Sequence, residues 1–361
     1  MLAAAVSCVY PYEVPELSNE QEILVVDGSI VVGKEARVTM SKMNEFYYFV
    51  LPDEWWVEDE AGTRYTPVQG GGWVDLSNAP TDRSYRMVIR KDGKTYFSSF
   101  EKGIDQPEIT EVNFTADQSR VYCNVSLNES ESGTGYVSLS FEEIWHFHAP
   151  FQDLYYLEKT AFGYQVSARD MADETYYWCW RYRSNPTEAL VDVSHLGGTA
   201  KDYPLTVFMR SNDRNHGDYT IKVTARSVSE AEYRFRKNLE SAYSSGHNLF
   251  TPNPGEIAGN VACEEDPSER VLGYVTLSLA ASKEAHLDSR YLVTLEYETS
   301  GFLNPKRDEY WHLYNDLAYR PIVEDPAGPV GDDLASPILW GPLRCINCVA
   351  DGGTLEKPSF R

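Results

Sequence analysis

Nowhere in this 361-residue chain is there an apolar run of the roughly 18 residues that a membrane-crossing helix needs, which excludes a helical span. Positive charge is also scarce. Lys and Arg number 32 against 55 Asp and Glu, a formal net charge of -23, and no local basic cluster offsets it. Such a surface repels phosphate backbones and anionic headgroups, so nucleic acid is excluded as a partner. The motifs of zinc peptidases, serine hydrolases, nucleotide-binding P-loops and dinucleotide folds are all missing. His146 and His148 share one strand face, but no third ligand lies near them in sequence. Asp213, Asn215 and Asp218 lack the glycine position and distal Glu of a calcium hand, so their segment reads as a turn. Neither a metal nor a cofactor is expected, and the chain reads as non-enzymatic.

Aromatic residues are plentiful: 25 Tyr, 14 Phe and 8 Trp make up 13% of the chain. Tyr and Trp suit half-buried pleated surfaces, so the composition favours β structure. Residues 23–105 alternate short β-like runs with turns, and Lys91-Asp92-Gly93-Lys94 between two alternating runs is a hairpin signal. This stretch predicts a small immunoglobulin- or transthyretin-like sandwich. Residues 106–300 predict a larger β domain carrying one amphipathic helix, over 229–245. That helix opens on a capping box, Ser229 with Glu232, and places Ala231, Phe235, Leu239 and Ala242 along one stripe. Residues 301–361, rich in Pro, Gly and Asp, read as an irregular tail packed on the second domain. Tyr291–Tyr297 reads as a further strand.

At the start, Ala5-Val6-Ser7-Cys8 resembles a lipobox, with Ala5 where Leu is usual, behind what looks like the remnant of a secretory signal. Cys8 is the expected lipidation site, residues 1–8 the signal remnant and 9–22 a tether. Five of the six cysteines then remain. Cys345 and Cys348 form a C-x-x-C that lacks a second pair for zinc and a βαβ setting for redox chemistry. A structural disulfide is expected, either between these two or from one of them to Cys179.

Tyr176, Trp178, Trp180 and Tyr182 fall on one strand face, opposite Tyr177, Cys179 and Arg181. Exposed, that face is an aromatic binding surface; buried, it is core, and burial is the favoured reading. Trp55-Trp56 and Phe46-Tyr47-Tyr48-Phe49 read as edge or loop-cap packing, with an exposed binding surface as the alternative.

Four stretches together resemble a Bacteroidota lipoprotein family, domain of unknown function 4249. They are Leu24–Ile30, Ser229–Leu239, Phe250–Val261 with Val271–Tyr274, and Cys345 and Cys348 followed by Gly352-Gly353 and Lys357–Phe360. The resemblance implies a lipid-anchored outer-membrane protein, on the cell surface or the periplasmic face, encoded beside TonB-dependent transporters. A non-catalytic accessory of such a transporter is therefore expected, held to the membrane through its N-terminal lipid only. The alternatives are a structural subunit of a cell-surface or envelope assembly and a glycan hydrolase, whose paired carboxylates leave no local signature.

Overall fold

The structure is a computed structural model that describes residues 23–43, 47–69, 72–104, 107–128, 135–185, 188–193, 199–245, 259–288, 297–325 and 337–360. Cys8, the signal remnant, the tether, most of Phe250–Val261 and most of the expected strand Tyr291–Tyr297 lie outside those residues.

Mainly β structure forms, with two helices among the described residues. In chain order the strands begin with β1 (Ile23–Val32), β2 (Glu35–Met43), β3 (Tyr47–Val50), β4 (Glu54–Asp59), β5 (Arg64–Tyr65), β6 (Trp73–Asp75), β7 (Ser84–Lys91), β8 (Lys94–Ser98) and β9 (Glu101–Lys102). Then come β10 (Glu108–Ala116), β11 (Arg120–Asn128), β12 (Tyr136–His148), β13 (Asp153–Thr160), β14 (Gly163–Asp173), β15 (Trp178–Ser184), β16 (Ala189–Asp192), β17 (Thr199–Met209) and β18 (Tyr219–Ser227). Helix α1 (Glu230–Ser245), β19 (Val261–Cys263), β20 (Val271–His286), helix α2 (Tyr310–Asn315), β21 (Tyr319–Glu324) and β22 (Ile338–Pro342) complete the order.

The chain divides into two compact units that do not follow chain order. Residues 231–278 cluster with residues up to 103, while 104–230 and 279–361 form the second unit. Helix α1 therefore groups with the first unit from Ala231 onward and not with the larger domain expected over residues 106–300. The stripe on α1 also differs from expectation: Ala231 and Leu239 are exposed, and the buried side chain is Glu232, ion-paired to Arg236 one turn later. Phe235 does pack, its ring 4.9 Å from that of Tyr274. A carboxylate paired to a neighbouring cation tolerates burial, which simple apolar periodicity does not anticipate.

In the first unit, β1 pairs with β2 and with the start of β20, while β3 and β6 pair with β2; a second sheet runs β19-β8-β7-β4-β5, with β9 on β7. Alternation along β1 sends Leu24, Val26, Ile30 and Val32 inward, and Gly28 lies where an added Cβ would meet Met87 of the other sheet at 3.1 Å. The hairpin at Asp92-Gly93 forms as expected, both residues having positive φ (51° and 78°), which matches the twist of β7 and β8. Gly273 shows why glycine is required in its strand. It sits at φ +99°, and a Cβ there would lie 1.9 Å from the carbonyl oxygen of Val26.

The second unit is also sandwich-like. One sheet runs β15-β12-β18 to the end of β20, with β16 on β12; the other is β10-β11-β17. Val121, Cys123 and Val125 of β11 share one core with Leu139, Trp145 and Phe147 of β12 and Ile221 and Val223 of β18. The tail is more ordered than its composition implies. Helix α2 and the β21–β22 pair enclose Tyr310, Leu313 and Trp340, against which Leu157, Tyr164 and Val166 of the β13–β14 hairpin pack. Apolar residues scattered among Pro, Gly and Asp fill this small core without showing any sequence period.

Candidate functional site

The most chemically varied surface gathers in the second unit where β12 meets β15. Their register sets His146 opposite Trp180 and His148 opposite Trp178. Side chains on adjacent strands stand side by side, so these rings form a row. The His146 ring stacks on Trp180 (centroids 4.5 Å apart) and on Trp178 (4.8 Å), and His148 stacks on Tyr177 (5.1 Å).

This row corrects the expectation of a buried face. Tyr176 is 44% exposed and Trp178 39%, while Trp180 and Tyr182 are half-buried. Tyr176 also precedes β15, in the turn that leads into it. Neither is the face an open platform: the Trp indoles stack against His146, and Lys357 sits 4.7 Å over Trp180. Tyr182 donates its hydroxyl to Glu142 at 2.5 Å. What this side offers to solvent is a partly exposed aromatic ridge, most exposed at Tyr176 and Trp178.

Two devices hold the ridge. A disulfide joins Cys179 to Cys348 and leaves Cys345 as a free, half-buried thiol, so the long-range pairing forms instead of the local C-x-x-C one. The segment after Cys348 then pairs with β15: Trp180 and Thr354 exchange both backbone hydrogen bonds, at 2.7 and 2.8 Å. Gly353 makes this possible, since a Cβ there would come 2.6 Å from the Cys179 Cβ.

The second device is the loop 211–218, read from sequence as a mere turn. Arg181 on β15 donates to Asp213 at 2.7 Å and to Asp351 at 2.8 Å, with its guanidinium 4.3 Å over Phe147. Arg214 turns inward to a bidentate pair with Glu143, whose side chain is fully buried, and lies 4.4 Å over Trp145. Tyr219 donates to the same carboxylate at 2.6 Å. Burial, and then the Glu143 charge, hold the Tyr219 phenol well above its ordinary value, so it remains a donor.

The loop also delivers His216, which sequence spacing did not associate with His146 and His148. Its ring stacks on His148 with centroids 4.4 Å apart, and its Nε2 lies 3.2 Å from the Tyr297 hydroxyl. The other ring nitrogen, Nδ1, is buried with no hydrogen-bond partner among the described residues. Burial first, then His148, pushes the His216 imidazole down to about 4, and burial also lowers His146. Both imidazoles are therefore neutral at pH 7. Among the described residues no group of three or more His, Cys, Asp and Glu is placed to hold a metal ion. His148 and His216 stack ring on ring while His146 stacks on the Trp178 and Trp180 indoles, and lone pairs on stacked rings do not converge on one point.

Other candidates lie in the first unit. Trp55 and Trp56 are both buried there, and Trp56 donates to Glu58 at 2.9 Å, whereas Phe49 is 72% exposed. A cleft of about 450 Å³ is lined by Val38, Leu51, Pro52, Trp55, Trp56 and Pro67. The carboxyl of Glu101, pushed up by burial, lies near Glu232, yet Glu232 is held by Arg236 with 1% side-chain exposure. These two do not flank an open cleft.

Fold and site define a mainly β protein of two units that carries a braced aromatic–histidine ridge. The chain belongs to the family described as Domain of unknown function (DUF4249), whose model matches residues 9–284. No curated protein matches it.

Proposed function

We propose that this protein is a non-catalytic outer-membrane lipoprotein, anchored through Cys8, that serves a TonB-dependent transporter as an accessory binding partner. The observation that carries the binding role is the ridge at Tyr176 and Trp178. Large aromatics stay substantially exposed at the start of β15 and in the turn before it, where a disulfide and an Arg181 clasp brace the strand and a buried ion pair fixes the neighbouring loop. Rigid, partly exposed Trp and Tyr bind with little loss of side-chain freedom, which is why they dominate contact energetics. The anchor rests on the lipobox-like Ala5–Cys8, and the transporter on the lipoprotein resemblance. Its net charge of -23 keeps the folded part from adsorbing to anionic surfaces.

The test is co-purification from detergent-solubilised outer membranes. The transporter is expected with the wild-type protein and lost with Tyr176→Ala/Trp178→Ala, while the fold is retained. Recovery always as a lone, unacylated protein would overturn the reading.

A further inference from the structure

Among the described residues of the second unit, one large apolar side chain lies wholly in solvent. Phe162, at the tip of the β13–β14 hairpin, is fully exposed. The tip is nevertheless a defined turn. Thr160 pairs with Gly163, the Thr160 hydroxyl donates to the Gly163 carbonyl at 3.1 Å, and the Phe162 amide donates to the Thr160 hydroxyl at 3.3 Å. The hairpin is fixed at its base, because Leu157, Tyr164 and Val166 pack on Tyr310, Leu313 and Trp340. Close behind the tip, Trp311 of α2 is 46% exposed and lies flat on Tyr164, centroids 4.8 Å apart at 14°. Phe162 and the Trp311–Tyr164 pair together leave apolar surface in water at this end of the hairpin.

Its rim carries both signs of charge. Lys159 stands opposite Tyr164 in the hairpin register and is exposed, as are Lys306, Arg307, Asp308 and Glu309 in the turn that leads into α2 and packs beside β14. Arg307 lies four residues before Trp311, in the turn that contacts β14. A purely anionic surface is repelled by a protein of charge -23. A second copy of the chain meets the same repulsion. A zwitterionic phospholipid answers both signs, its phosphate to Lys159 and Arg307 and its amine to Asp308, while acyl chains accept Phe162.

We propose that the β13–β14 tip is a membrane-interface contact: Phe162 enters the acyl region of a zwitterionic phospholipid surface, Trp311 and Tyr164 sit at headgroup level, and the mixed charges around them meet the headgroups. Exposed aromatic and basic side chains partition at that depth because one end of each is apolar and the other wet. This contact is independent of any acyl chain on Cys8 and of the transporter.

The test uses the full chain with Cys8→Ser, which cannot be acylated, in flotation with phosphatidylethanolamine–phosphatidylcholine vesicles. The protein is expected to float, and adding phosphatidylglycerol is not expected to strengthen binding. Phe162→Asp should lower vesicle partitioning about tenfold with an unchanged circular-dichroism spectrum, because burying a Phe ring accounts for at least that much. Phe162→Leu should retain binding, and Trp311→Ala should weaken it. Protein that stays at the bottom of the gradient, or Phe162→Asp protein that floats equally well, overturns the proposal. A photo-cross-linker at position 162 that captures one envelope protein and no lipid would also overturn it, making the tip a protein-docking knob.

Discussion

Arg214 lays its guanidinium along both carboxylate oxygens of Glu143, at 3.1 and 3.0 Å, although 71 residues separate them in sequence. The pair ties the loop 211–218 to the middle of β12 and so sets where His216 meets His148.

Breaking that pair from one side leaves a buried carboxylate uncompensated. Arg214→Ala is expected to destabilise the protein by about 3–5 kcal/mol. Denaturant unfolding checks this, and a cycle with Glu143→Gln should show strong coupling. Near-additive effects would mean that the pair contributes little.

The Cys179–Cys348 bond spans a sequence separation of 169 and lies within the core of the second unit. Cys348→Ser is expected to cost about 2–5 kcal/mol. Cys345→Ser should leave thermal stability nearly unchanged. Under native conditions an alkylating reagent should modify Cys345 before Cys123 and Cys263, which are buried. Peptide mapping of the modified protein decides the order.

The lowered value of His216 makes stability depend on pH. The folded state holds this imidazole neutral down to about 4, while the unfolded chain takes up the proton near pH 6.5. Between those values the unfolded state binds more protons, so this stabilisation is complete above about pH 6.5 and drains away toward pH 4. His216→Asn should flatten that part of the difference between stability curves measured at pH 7 and pH 4.5. An NMR titration that places the His216 midpoint near 6.5 would contradict the environment described for it.

Glycines with positive φ are not equivalent. Gly273→Ala forces a Cβ to within 1.9 Å of a backbone oxygen, so misfolding or a very large loss of stability is expected. Gly33→Ala, at φ +84° with open space around it, should cost about 1 kcal/mol. Soluble yield and melting temperature separate the two.

Much of the fold was legible because strands announce themselves locally. The Asp92-Gly93 hairpin, the inward alternation of β1 and the start of α1 directly after Ser229 all follow from short-range chemistry. The buried stripe of α1, the order within residues 301–361 and the exposure of the Trp178 face depart from what local pattern implies. Each depends on what packs against an element from far along the chain. Among the site residues, Trp178, Trp180, His146 and His148 could be named from two-residue periodicity. His216, Arg214 and Glu143 could not, since only a bidentate contact over 71 residues unites them.

What the amino-acid order determined by itself is the local grammar: strands, turns, a capped helix, an acidic surface and family membership. Tertiary structure alone decided which cysteine bonds to Cys179, which imidazole stacks on His148 and which aromatic rings face water. The physical reason is range. Backbone propensity and side-chain alternation act over a few residues, whereas burial, ion pairing and ring stacking depend on neighbours brought together only when the sheets have closed.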